Sequence, residues 1–318
     1  AGQYYTIIVK NKGSEPLTKG NIETYGLNYD TDLNNSFTAT AATTSVTPLS
    51  VDIELTKVGR DGEGGNLIVG AKGLDSKDVK DTDVDQTDGI NVFNITVLGN
   101  KDLPSNLGVI QSTNDHLTTV KITSETRTDS SYAALTVRGQ AAAAVFNTDD
   151  SRPFGGTLEL LNADAFKGDL RIGEVTAAAN IDTFTAMGGG DIYLKEDIFA
   201  GANLDGATTE FDSHDANEFT IDTGAGADEI IVVATDGAQL DVNTRAGDDK
   251  IEVTINGDDD SNSDLTFATI VSGDGDDTVT VTMDAGVSQV TMYELKNLDI
   301  NLGSGEDTLT LKGEGNFH

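Results

Sequence analysis

Four aspartates, Asp228, Asp249, Asp277 and Asp307, each close a short glycine-rich segment, and an aliphatic residue follows each two positions on: Ile230, Ile251, Val279 and Leu309. The glycines ahead of them are Gly224 and Gly226, Gly247, Gly273 and Gly275, and Gly303 and Gly305. A second acidic residue directly precedes three of the four, as Asp248, Asp276 and Glu306. Carboxylates beside glycine-turned carbonyls suit a hard cation. Calcium takes about six to eight oxygens at roughly 2.3–2.6 Å in flexible geometry, backbone carbonyls included, and glycine reaches the positive φ that turns carbonyls toward one centre. If such turns stack along one edge, the aspartates recur at the strand spacing of about 4.8 Å. Two carboxylates that close repel by about 3.5 kcal/mol at an effective dielectric of about 20. A column of four, joined by Asp248, Asp276 and Glu306, is strongly disfavoured without cations, so calcium binding becomes part of folding. A single Gly-x-Gly-x-Asp is an ordinary turn, since Gly and Asp dominate turns. Four aligned copies with matching aliphatic anchors favour calcium.

The elements that must position these turns are strands. Short runs alternate β-branched or aliphatic residues with Thr, Asp, Asn or Lys, bounded by Gly, Asn or Asp, from Tyr5–Lys10 and Val51–Thr56 through Val92–Leu98 to Lys250–Thr254 and Thr308–Leu311. Helical periodicity is nearly missing, which predicts an all-β chain. The four units span Ile221–Val232, Val242–Val253, Ile270–Val281 and Ile300–Leu311, and their aspartates are 21, 28 and 30 residues apart. One Gly-rich turn per coil of a parallel β-solenoid accounts for that interval. The two longer intervals carry insertions, Asn256–Asp264 and Asp284–Asn297. Fainter copies lie upstream: Gly62-Glu-Gly64-Gly-Asn66-Leu-Ile68, and Gly188-Gly-Gly190-Asp191-Ile-Tyr-Leu194, which reads as a unit that has lost one residue. The expected organisation is a solenoid over 51–318, clearest at 219–311, preceded by a strand-containing segment, 1–50, that is Asn/Thr-rich and lacks the unit.

The Gly-x-Gly-x-Asp-x-aliphatic-x unit resembles the calcium-binding nonapeptide of RTX proteins, found in secreted bacterial toxins, proteases, adhesins and surface-layer proteins. That resemblance implies calcium held by backbone carbonyls and by Asp228, Asp249, Asp277 and Asp307, with the aliphatic residues anchoring core strands. The chain departs from the pattern at the family's first glycine, which is Thr223, Thr244, Ser272 and Leu302 here. Arg245 replaces the second glycine of one unit, a change expected to weaken or empty that site. The units are also not tandem at nine residues. The chain is therefore similar to the wider β-helix (β-roll-like in its turns) of surface-layer and adhesin proteins, and Ala163–Ile172 looks like a coil of that group.

Composition narrows the rest. Asp and Glu number 54 against 20 Lys and Arg, a formal charge of −34. Such a field opposes nucleic acid and anionic membranes as partners. Cysteine is absent, which removes disulfide scaffolds and zinc-thiolate sites. No run of about 18 apolar residues predicts a membrane span. Three short clusters, Asp30-x-Asp32-x-Asn34, Asp81-x-Asp83-x-Asp85 and Asp258-x-Asp260-x-Asn262, copy the first ligand positions of an EF-type loop. They lack its sixth-position Gly and twelfth-position Glu and read as solvated acidic surface, with irregular calcium loops the alternative. His116, His214 and His318 are scattered, and no nucleophile elbow, zinc-protease helix or phosphate loop is present. Arg60, Arg127, Arg138, Arg152, Arg171 and Arg245 are dispersed, which argues against a polysaccharide lyase and for no enzymatic activity.

The functional expectation is a secreted, calcium-binding structural protein that assembles with copies of itself into an extracellular surface layer or filament. A calcium-rigidified spacer or binding module of a larger adhesin is the alternative. A cell-surface polysaccharide is a further candidate partner. The strand around Tyr4–Val9 either completes a neighbour's sheet as an assembly arm or pairs within its own chain.

Overall fold

The computed structural model describes residues 6–10, 22–23, 50–59, 67–69, 91–112, 117–139, 152–154, 158–173, 179, 181–199, 218–235, 239–256, 267–284 and 298–313. Every regular element among them is a strand. The alternation seen in the sequence is the reason. In Val92–Leu98, Phe93, Ile95 and Val97 are buried while the residues between them are half-buried. Side chains point to opposite faces of a strand, so this spacing fits one face to a core and the other to water.

Ten strands make the first sheet, in the order β1 (Thr6–Lys10), β3 (Ser50–Thr56), β5 (Val92–Leu98), β8 (Thr119–Ser124), β10 (Leu158–Ala165), β12 (Ile181–Ala186), β14 (Glu218–Thr223), β16 (Gln239–Asn243), β18 (Phe267–Val271) and β20 (Leu298–Asn301). Eight make the second, in the order β21 (Thr308–Gly313), β19 (Thr278–Asp284), β17 (Lys250–Asn256), β15 (Glu229–Thr235), β13 (Ile192–Phe199), β11 (Leu170–Ile172), β9 (Leu135–Val137) and β6 (Ser105–Leu107). A three-stranded sheet joins β2 (Ile22–Glu23), β4 (Leu67–Val69) and β7 (Ile110–Ser112). All pairings are parallel. From β10 to β21 the chain passes alternately from the first sheet to the second, so each strand pairs with the one two places on. The strand of the N-terminal segment, β1, pairs with β3 of its own chain, from Thr6 opposite Asp52 to Lys10 opposite Thr56.

Register stacks like on like. In the second sheet Val137, Ile172, Leu194, Ile230, Ile251, Val279 and Leu309 follow one another across seven strands. In the first, Phe184, Ile221, Val242, Ile270 and Ile300 do the same. The inward faces of the sheets form one continuous core cluster, and each aliphatic side chain buried there stabilises the fold by about 1.5–3 kcal/mol. Outward faces carry matched polar pairs: Asn94 Nδ2 donates to Asp52 Oδ1 at 2.9 Å, and the Thr96 and Thr123 hydroxyls meet at 3.2 Å.

Two expectations need correction. Ile230, Ile251 and Val279 are buried core anchors, but Leu309 is 43% exposed, because β21 is the edge of its sheet and nothing described covers its outer side. The strands read from the sequence also leave out β16, β18 and β20, the first-sheet strands of the last three repeats.

Candidate cation site

Each repeat turn links a first-sheet strand to a second-sheet strand: residues 224–228 join β14 to β15, 244–249 join β16 to β17, 272–277 join β18 to β19, and 302–307 join β20 to β21. The turns are in contact edge to edge through parallel bridges from Ala225 to Ala246, Asp274 and Ser304. That contact explains the glycines. A Cβ on Gly247 would lie 1.6 Å from the Gly226 carbonyl oxygen, one on Gly275 1.8 Å from Gly247 O, and one on Gly305 1.7 Å from Gly275 O. In the parallel row, a Cβ on Gly273 would lie 1.6 Å from Arg245 O and one on Gly303 1.7 Å from Gly273 O. Close approach, rather than positive φ alone, is the shared requirement: Gly224 and Gly226 are absent from the positive-φ residues that include Gly247, Gly273, Gly275, Gly303 and Gly305.

The four aspartates do form a column, and it lies inside the turn. Asp228, Asp249 and Asp277 are only 1–2% exposed, and Asp307 on the edge layer is half-buried. Each carboxylate accepts a main-chain N–H from the preceding layer. Ile192 N donates to Asp228 Oδ1 at 2.9 Å, Asp228 N to Asp249 Oδ1 at 2.9 Å, Asp249 N to Asp277 Oδ1 at 2.9 Å, and Asp277 N to Asp307 Oδ1 at 3.0 Å. The second oxygens, Oδ2 of Asp228, Asp249 and Asp277, are buried without a hydrogen-bond partner. A buried unsatisfied polar atom costs about 1–3 kcal/mol, more when charged. Burial raises the Asp228 carboxyl to about 6; the Thr223 hydroxyl and the Ile192 N–H oppose the shift, and Asp249 and Asp191 reinforce it. Burial raises Asp249 as well, opposed by the Asp228 N–H and the Thr244 hydroxyl and reinforced by Asp277 and Asp248. The Thr223 hydroxyl is near enough to Asp228 to matter electrostatically, yet its Oγ1 makes no hydrogen bond of good geometry.

An outer ladder runs the opposite way. Asp276 N donates to Asp248 Oδ1 at 3.0 Å and Glu306 N to Asp276 Oδ1 at 2.9 Å, so here the carboxylate serves the following layer. Asp248, Asp276 and Glu306 are exposed. A third row consists of hydroxyls: Thr244 Oγ1 donates to Ser272 O and Ser272 Oγ to Leu302 O, both at 3.0 Å. Sequence reasoning saw Thr223, Thr244 and Ser272 only as departures from a glycine pattern, although a buried hydroxyl at the same phase of three units was the available signal. Arg245 sits at φ 66°, a left-handed conformation that costs a non-glycine residue about 1–2 kcal/mol. Its guanidinium grips Asp222 of the preceding layer, Nε to Oδ1 at 2.9 Å and Nη2 to Oδ2 at 2.8 Å.

The oxygen set fits a hard cation at the inner column. Around the Cβ position that Gly247 leaves vacant stand Gly226 O, at 1.6 Å, and Asp249 Oδ1, at 3.1 Å. Around Gly305 stand Gly275 O, at 1.7 Å, and Asp307 Oδ1, at 3.2 Å. Carbonyl and carboxylate oxygens are therefore neighbours in these turns, and the partnerless Oδ2 atoms have free lone pairs. Among the described residues no three His, Cys, Asp or Glu side chains gather as a metal cluster, so a cation here has to draw most of its ligands from the backbone.

Upstream, the register corrects one expectation. Tyr193 pairs with Glu229 and Leu194 with Ile230, so Gly190 matches Gly226, Asp191 matches Ala227, and Ile192 matches Asp228. Nothing is lost from this half of the unit. Asp191 belongs to the outer row, where its Oδ1 accepts Ala227 N at 3.0 Å, and an isoleucine takes the inner position. Leu67–Val69 of the Gly62 copy lies in the three-stranded sheet, away from these turns, and its glycines fall outside the described residues. So do the three EF-like clusters, the insertion cores and all three histidines. Arg127 is bound by Glu125 at 2.6 Å and Asp129 at 2.7 Å, while Arg171 lies 3.5 Å over the Tyr193 ring.

Compared with known proteins, the chain matches no protein family, no curated protein and no solved structure.

Proposed function

We propose that the chain is a parallel β-solenoid whose glycine- and aspartate-bearing turns bind calcium in a file along the inner column, and that it serves as a secreted structural protein. The observation that carries this reading is the row of buried Oδ2 atoms on Asp228, Asp249 and Asp277, each without a hydrogen-bond partner, in turns whose glycines pack against one another. Desolvated carboxylates without compensation are costly, and a divalent ion at the column supplies the compensation. Asp228, Asp249, Asp277 and Asp307 would hold it from the side chain, and the carbonyls of Gly226, Gly247 and Gly275 from the backbone. The formal charge of −34 gives the same ion a second role in relieving self-repulsion.

Assembly into a surface layer or filament is the larger role of this reading. It is supported by the position of β20 and β21, which are the outermost described strands of the two long sheets, and by Leu309 and Leu311, which are 43% and 46% exposed. Edge strands of this kind template association, and a head-to-tail contact that does not close makes a filament. The deciding experiment pairs isothermal calcium titration with electron microscopy of the same preparation. Saturable binding by the inner column and ordered polymers only in calcium are expected; the absence of saturable binding overturns the reading.

A further inference from the structure

The inner column does not begin at Asp228. Leu135 pairs with Leu170 and Leu170 with Ile192, and Ile192 donates its N–H to Asp228 Oδ1, so one continuous row reads Leu135, Leu170, Ile192, Asp228, Asp249, Asp277, Asp307. Its first three members are apolar and 0–4% exposed. The next three are equally buried and each carries a partnerless carboxylate oxygen. Among the described residues upstream of Ile192, no buried carboxylate oxygen lacks a hydrogen-bond partner.

Resting on the calcium reading above, we propose that the junction between Ile192 and Asp228 is a built-in boundary between a part of the fold that holds without metal and a part that folds only with it. The layers of β9, β11 and β13 close their turns with the aliphatic side chains of Leu135, Leu170 and Ile192. The layers of β14 to β21 close theirs with carboxylates, of which Asp228, Asp249 and Asp277 have an Oδ2 without a hydrogen-bond partner among the described residues. In a stack where each layer touches only its neighbours, stability is approximately a sum of local and nearest-neighbour contributions. Metal loss therefore melts the acidic layers as a unit and stops where the row turns apolar. The chain is thus a permanently folded stem carrying a segment of roughly a hundred residues that calcium switches from unfolded to folded.

Amide hydrogen exchange on the full chain, in excess calcium and in excess EGTA, tests this directly. Chelation is expected to speed exchange at least about tenfold in β15, β17, β19 and β21, and to leave β5, β8, β10 and β11 within about twofold. Equal acceleration from β5 to β21 overturns the boundary while leaving calcium binding standing. No acceleration anywhere overturns the calcium reading and the boundary with it. Ile192→Asp should move the boundary one layer upstream and make β13 sensitive to EGTA. Because that variant can fail to fold, Asp228→Asn is read in parallel. The EGTA response of β15 should shrink while β19 and β21 keep theirs; an unchanged β15 response overturns the role of the junction.

Discussion

The turns that precede β11 and β13 and those that precede β15, β17 and β19 share a glycine plan and differ in the character of the inner residue. In both regions neighbouring turns lie so close that glycine is obligatory. A Cβ on Gly168 would sit 2.1 Å from Ala133 O and one on Gly188 1.4 Å from Phe166 O, much as one on Gly247 would sit 1.6 Å from Gly226 O. The inner residue changes, from Leu170 and Ile192 to Asp228, Asp249 and Asp277. The glycines therefore report how the backbone stacks and carry no information about a cation. The aspartates carry that information, because an aliphatic side chain demonstrably fills the same place.

The sharpest way to break the comparison is to remove the metal. A ligand at a thousandfold its dissociation constant stabilises by about 4 kcal/mol per site, and 1 kcal/mol moves the midpoint of a segment this size by about 4–8 °C. Chelation should lower the melting temperature of the acidic layers by at least about 15 °C in calorimetry. A transition from the apolar layers should stay in place. Gly275→Ala comes next. Its Cβ would lie 1.8 Å from Gly247 O at a φ of 145°, and a loss of several kcal/mol in calcium is expected by denaturant titration. Gly188→Ala in the apolar region should cost as much, which separates backbone sterics from metal binding.

Asp277→Ala and Asp307→Ala should each blunt the chelation response. Asp249→Asn is the finer probe, since its amide oxygen still accepts the Asp228 N–H while the charge is gone. It should melt lower than the parent in calcium and higher than the parent in EGTA. A variant that melts lower in both would show that the carboxylate serves packing alone.

Acidity should act with opposite sign in the two conditions. The Asp228 carboxyl is raised from an ordinary 3.8 to about 6 on folding, so without calcium its contribution is full below about pH 4 and is lost as pH rises through about 6. EGTA-treated protein should melt higher at pH 5 than at pH 7. Calcium competes with the proton, so the calcium-loaded protein should melt lower at pH 5 than at pH 7. The smallest effect belongs to Arg245→Gly. It removes left-handed strain of about 1–2 kcal/mol and an exposed Asp222 pair that contributes under about 1 kcal/mol. Urea midpoints should place it within about 1 kcal/mol of the parent, on the stabilised side.

Much of this was legible in the linear chain because the rule that governs it is local. Strands such as Val92–Leu98 follow from alternation, and the four Gly-x-Gly-x-Asp units from direct repetition. Their shared phase places four carboxylates in one row whatever the details of the turn. What alternation could not reveal was the partner strand of each layer. The strands β16, β18 and β20 are held in place by their parallel neighbours in the first sheet.

Register was the other matter that only the tertiary structure decided. Read by spacing, Asp191 closed a unit that had lost one residue; placed by pairing with β15, it stands on the outer row and Ile192 occupies the inner one. Burial was decided in the same way. Sequence determined that acidic side chains recur, while the stacking of turns determined that Asp228, Asp249 and Asp277 face inward and Asp248, Asp276 and Glu306 face water. Adjacent residues in an extended segment point to opposite sides, and which side is the interior depends on where the neighbouring layer lies.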